Sequence, residues 1–103
     1  MARRTPLTPD ELADALAELP EWAGDVHGIH RRTTGIDFRA AAEHVLALAD
    51  VADALDHHPE VEIGFDRLTV HLLTHSADAV TELDVEFARR ADELLAAQPG
   101  SDA

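Results

Sequence analysis

Residues 53–84 read DALDHHPEVEIGFDRLTVHLLTHSADAVTELD, and their periodicities decide the fold. A helical apolar pattern runs into His57-His58, and Pro59 forbids its continuation, having no N–H to donate and a ring that clashes with the preceding turn. Alternation follows, with Val61, Ile63 and Phe65 on one face and then Leu68, Val70 and Leu72 on one face of a second run, which predicts a β-hairpin. With Asp66-Arg67 as the two loop residues, Phe65 faces Leu68, Ile63 faces Val70, Val61 faces Leu72, and His58 comes opposite His75. The turn lacks an Asn-Gly or Asp-Gly pair, so a slipped register or a longer loop stays open. Thr81 then opens a last helix as its N-cap, with Asp84 three residues on and a buried stripe of Leu83, Phe87, Ala88, Ala91, Leu94 and Leu95.

Upstream, Asp37 can cap the longest helix, whose apolar positions Phe38, Ala41, Ala42, Val45, Leu46, Ala49, Ala52 and Leu55 hold helical spacing. Before it, the glycines in EWAGDVHGIHRRTTGI punctuate two short strands, with Trp22 expected as a core anchor and His27 and His30 at exposed strand positions. Thr8-Pro9-Asp10-Glu11 supplies a hydroxyl cap, a first-position proline and a carboxylate three residues after the cap. A first helix therefore starts there, buries Leu12, Ala15, Leu16 and Leu19, and ends at Pro20. The order α-β-β-α-β-β-α predicts an α+β fold, a four-stranded antiparallel sheet with three helices packed on one face. At 103 residues the chain is expected to be one domain, with residues 1–7 and 98–103 flexible.

Eight basic against twenty-one acidic residues give a net charge of −13, so a nucleic-acid backbone would be repelled by most of the surface. Cysteine is absent, which excludes disulfides and thiolate zinc sites. No stretch has the apolar length of a membrane span or of a signal-peptide core, so the expected setting is soluble and cytoplasmic.

The chemistry is concentrated in the opening stretch, where His57, His58, His75, Asp53 and Asp84 lie near element ends and can converge on one pocket. Each also has a purely structural reading. A histidine pair at a helix C-terminus complements the helix dipole, Asp84 complements a helix N-terminus, and Asp53 at i, i+4 from His57 either orients that ring or stabilises the helix surface. His71 can pair across the hairpin with Glu62. Zinc ligation by these histidines is disfavoured, because adjacent histidines seldom share one ion and the HxxxH spacing here falls on a strand.

The spaced pattern Asp53, His57-His58-Pro59, Phe65, His75 and Asp84 resembles that of the pterin-4a-carbinolamine dehydratases, and the resemblance extends from LTPDELADALAELPEW to the final helix. It departs from the family at Ser76, at Ala77-Asp78-Ala79-Val80 and at Val61. The resemblance implies dehydration of 4a-hydroxytetrahydropterin to quinonoid dihydropterin in tetrahydrobiopterin recycling, with no metal or organic cofactor, in a homodimer or homotetramer. It also implies His57 and His75 as the acid–base pair and His58 as the residue positioning the pterin. Asp53, Asp56, Pro59, Thr74, Ser76 and Asp84 would line or support the pterin site, Asp53 by orienting His57. The competing class is a catalytically degenerate relative serving as a protein-interaction or assembly module.

Overall fold

A computed structural model of the chain describes residues 4–97. The elements are α1 (Pro9–Ala17), β1 (Trp22–Asp25), β2 (Gly28–Thr34), α2 (Phe38–Leu55), β3 (Glu60–Ile63), β4 (Arg67–Leu72) and α3 (Glu82–Ala97). The α1 start is the capping box its sequence announces: Thr8 Oγ1 accepts from the Glu11 N–H at 3.1 Å, and Glu11 returns a carboxylate to the Thr8 N–H at 2.9 Å. Asp37 caps α2 by accepting from the Ala40 N–H at 2.8 Å.

The sheet is antiparallel in the order β1-β2-β4-β3, so β1 and β3 are its edges. Trp22, Arg31, Val70 and Val61 stand opposite one another in successive strands and therefore share a face, which Ile29, Leu68 and Leu72 extend. This is the face the helices cover, and its core includes Leu48, Val80, Phe87 and Ala88. The opposite face carries Glu60, His71 and His30 in one row and Glu62, Thr69 and Arg32 in the next. Trp22 anchors the core as expected, 4% exposed, with its indole N–H donated to Asp92 Oδ1 at 2.8 Å.

Three details differ from the sequence-based expectation. The hairpin register is Ile63 with Leu68, Val61 with Val70 and Glu60 with His71, and Gly64 donates to the Arg67 carbonyl at 2.8 Å, so the turn residues are Phe65-Asp66. Every partner has moved by two, which leaves each side chain on its predicted face but removes the expected pairing of His58 with His75. The register is fixed from outside the hairpin: β4 is central, paired over six residues with β2, and the Asp66 carbonyl accepts from the Ile36 N–H at 3.2 Å. Phe65, released into the turn, is 92% exposed.

The second difference is the rotation of α2. It buries Ala41, His44, Leu48, Val51 and Ala52, leaving Phe38, Ala42, Leu46 and Ala49 of the predicted stripe outside. A helix apolar over so much of its circumference does not reveal which side meets the core. Thirdly, within the N-terminal stretch expected to be flexible, Leu7 is buried and donates its N–H to the Val80 carbonyl, and Pro6 bridges Thr81. Residues 1–3 and 98–103 lie outside the described residues.

Candidate active site

The end of α2 aims the first two histidines. Asp56 adopts the left-handed conformation (φ 49°), and the His57 N–H reaches back to the Ala52 carbonyl at 3.1 Å while the Asp56 N–H reaches that of Asp53 at 3.4 Å. This is a Schellman-type close, with aspartate in the place glycine usually takes. The chain leaves it extended, and consecutive side chains in an extended chain point opposite ways. His57 turns inward, 6% exposed, and His58 turns out to solvent.

His57 meets a fully buried carboxylate. Its Nε2 lies 2.5 Å from Asp84 Oδ1, and its ring stands edge-on to Phe87 with centroids 6.3 Å apart. Asp84 Oδ2 accepts from the Thr74 hydroxyl at 2.8 Å and from the Thr81 N–H at 3.0 Å. Thr74 has only one hydroxyl proton, and Asp84 takes it. The 2.8 Å contact between the two threonine hydroxyls is therefore donated by Thr81, whose oxygen also accepts from the Leu83 N–H at 3.2 Å. A carboxylate only accepts, so His57 presents Nε2–H to Asp84, and Nδ1 is the ring nitrogen outside that bond. Asp84 is thus both the helix-cap partner its position predicts and the group that fixes the His57 tautomer.

His75 is aimed by a tight loop. Thr74 bridges Ala79, the Asp78 N–H donates to the His75 carbonyl at 3.1 Å, and Asp78 takes the left-handed conformation (φ 52°) that closes the turn. Thr74 points inward to Asp84, and His75, its neighbour, is exposed.

His58 and His75 line one cleft of about 610 Å³ on the uncovered face of the sheet, together with His27, His30 and His71. His57 is not among its lining residues and is buried against Asp84 and Phe87 of α3. Carboxylates of Asp25, Glu60 and Glu62 complete the wall. His71 Nε2 lies 2.8 Å from Glu62 Oε1, the contact anticipated across the hairpin. That hydrogen bond, reinforced by the charge of His71, holds the Glu62 carboxyl below the usual carboxylate range.

The remaining predicted residues scatter. Asp53 does not bond His57: the left-handed residue at 56 breaks the helical i, i+4 relation, and Asp84 takes the orienting role instead. Asp53 lines a smaller apolar cavity of about 210 Å³ between α2 and β3, with Pro59, Val61 and one side of His58. Asp56 acts as the α2 cap, Thr74 belongs to the buried network, and Ser76 is exposed in the His75 loop. Among the described residues no group of three or more His, Asp or Glu side chains is arranged to hold a metal ion. His27 and His30 were expected merely to be exposed. His27 sits in the β1–β2 turn rather than on a strand, and both reach the cleft because His30 pairs directly with His71 across β2 and β4, a long-range register that no local pattern announces.

Comparison with known proteins converges on one family. The model of the pterin 4 alpha carbinolamine dehydratase family matches residues 5–94. A "putative pterin-4-alpha-carbinolamine dehydratase" of Picosynechococcus is 38% identical over 90 residues, covering 87% of this chain and 98% of that protein. A protein of the same name from Streptomyces coelicolor is 41% identical over 92 residues, covering 88% and 91%. The crystal structure of a transcriptional coactivator/pterin dehydratase from Brucella melitensis superposes with a TM-score of 0.81 at 36% identity, over 87% of this chain and 98% of that one. The helix order, the sheet, the histidine pattern and these matches agree, and the chain belongs to the pterin 4 alpha carbinolamine dehydratase family.

Proposed function

We propose that the protein dehydrates 4a-hydroxytetrahydropterins to quinonoid dihydropterins by histidine acid–base catalysis, as a step of tetrahydropterin recycling. The reaction breaks the C4a–O bond and the N5–H bond and forms the C4a=N5 bond. The N5 electron pair moves towards C4a as the hydroxyl leaves, one proton goes to the departing oxygen to make water, and one is taken from N5. One acid and one base suffice, and each positioned group is worth about 10²- to 10⁴-fold in rate.

The observation that carries this reading is the buried Asp84–His57 couple, whose neighbour in sequence, His58, lines one cleft with His75. A carboxylate that fixes one imidazole nitrogen leaves the other as a defined proton donor or acceptor, an arrangement a merely structural histidine does not need. His57, acting through Nδ1, and His75 serve as the proton-transfer pair, and His58, exposed in the cleft, holds the ring. The test is direct: freshly generated 4a-hydroxytetrahydropterin is mixed with the protein and formation of quinonoid dihydropterin is followed optically. Acceleration above buffer, lost in His57→Ala and His75→Ala, is expected; no acceleration by folded wild-type protein overturns the reading.

A second reading, an interaction or assembly module, draws on the exposed side of α2, where Leu46 is 74% and Phe38 64% exposed. The Brucella neighbour's double name combines both roles. The same surface supports self-association into a homodimer or homotetramer, which is compatible with catalysis.

A further inference from the structure

The buried couple of His57 and Asp84 has a third member. Phe87 follows Asp84 by three residues on α3, so the two side chains leave the helix on one face, about a turn apart. Both meet His57: Asp84 Oδ1 takes the ring at Nε2, and the phenyl ring of Phe87 stands against the imidazole at an interplanar angle of 73°, centroids 6.3 Å apart. That is a perpendicular arrangement aromatic rings favour, at a separation within their usual range of about 4.5–7 Å. Phe87 is wholly buried and belongs to the close-packed core with Ala88 and Ala91, so it is not free to follow the histidine.

The hydrogen bond to Asp84 does not by itself aim the ring. The His57 backbone is anchored by its N–H bond to the Ala52 carbonyl at 3.1 Å, which leaves the side-chain torsions to be settled. Of these, χ2 of a histidine has a broad, roughly two-fold profile. Nδ1 lies farther from the Cβ–Cγ axis than Nε2 does, so turning the ring about that axis displaces Nδ1 more than the hydrogen-bonded nitrogen. A bond at Nε2 therefore tolerates a spread of Nδ1 positions that proton transfer does not, because a productive site holds its groups to within about 0.5 Å and 10–20°. A flat, immobile neighbour at a steep angle to the imidazole removes that freedom.

We propose that Phe87 is a positioning residue: with Asp84 holding Nε2, it fixes the plane of the His57 ring and so the direction in which Nδ1 faces. It acts through His57 and takes no part in the chemistry itself. The proposal rests on the dehydratase reading, in which Nδ1 exchanges the proton, and adds to it the side chain that aims that atom.

The experiment compares Phe87→Leu, which keeps the position apolar but removes the ring, with Leu12→Ala, a truncation at a buried position of α1, an element that supplies no residue to the site. Two quantities are measured on the full chain: 13C relaxation of the His57 ring labelled at Cε1, and steady-state kinetics of the dehydration. In Phe87→Leu the ring should gain motion on the ps–ns timescale while the Nε2–H resonance persists, and kcat should fall about tenfold with KM unchanged. Leu12→Ala should lose stability yet leave both ring motion and kcat at wild-type values, which separates aiming of the ring from general loosening of the core. A ring as rigid in Phe87→Leu as in wild type overturns the proposal whatever the rate does. So does wild-type kcat with a mobile ring, or equal ring motion in the two variants. If folded wild type dehydrates nothing, the dehydratase reading fails, and the relaxation comparison alone still decides whether Phe87 fixes the ring.

Discussion

At the scale of single residues, the three motif histidines carry different proposed roles, and those roles predict different kinetic signatures. His57→Ala and His75→Ala should each lower kcat by about 10²- to 10⁴-fold, whereas His58→Ala should chiefly raise KM, as steady-state kinetics on the carbinolamine will show. Asp84 is tested against Thr74. Asp84→Asn puts amide protons where donors now converge and should cost about 1–3 kcal/mol of stability together with much of the turnover. Thr74→Val removes one donor but keeps the His57–Asp84 bond, so it should lose stability with a smaller kinetic effect. Equal kinetic losses would reduce Asp84 to a helix cap.

A fourth histidine, His44, is buried in the core face of α2 with Nδ1 unpartnered. Burial, and then the nearby Arg31, push its pKa below 6.5, against the weaker opposing charge of Glu43. The folded state therefore resists a proton that the unfolded chain accepts. This histidine costs no stability above about pH 6.5; stability falls as pH drops below that value and levels off below the lowered folded pKa. Denaturant unfolding of His44→Leu across this range should show a flatter acid limb than wild type.

At the scale of elements, the close of α2 matters most for the site. Asp56 at φ 49° turns the chain so that His57 enters the interior and His58 the cleft. Glycine suits that conformation and a β-branched residue does not, so Asp56→Gly should preserve stability and activity. Asp56→Val should cost about 1–3 kcal/mol and lower turnover by misplacing both rings. Thermal melts and the dehydration assay on the pair of variants separate backbone strain from any role of the carboxylate, since both lose the carboxylate. The hairpin teaches a related point: a turn at Phe65-Asp66 or at Asp66-Arg67 satisfies the same alternation, and pairing with β2 decides between them.

At the scale of the whole molecule, the unused side of α2 and the edge strand β3 offer surface for a second copy. Phe38, Ala42, Leu46 and Ala49 are exposed there, and β3 has its outer ladder unpaired among the described residues. Self-association through α2 predicts a dimeric or larger mass by light scattering that Leu46→Glu converts towards monomer without unfolding the chain. A monomeric wild type at high micromolar concentration would count against it.

The element order, the caps at Thr8, Asp37 and Thr81, the two faces of the sheet and the pattern of histidines and acids that marks the family are all legible in the chain before it folds. These rest on short-range rules: periods of 3.6 and 2, proline's missing N–H, and hydroxyls or carboxylates near free helix amides. The hairpin register, the side of α2 that meets the core, the partner of His57 and the arrival of His27, His30 and His71 in the cleft emerge only in the folded chain. Each of those depends on contacts between residues far apart in the chain. A shift of two in register preserves every side chain's face, and a helix apolar nearly all round can pack on either side, so local sequence carries no term that distinguishes the alternatives.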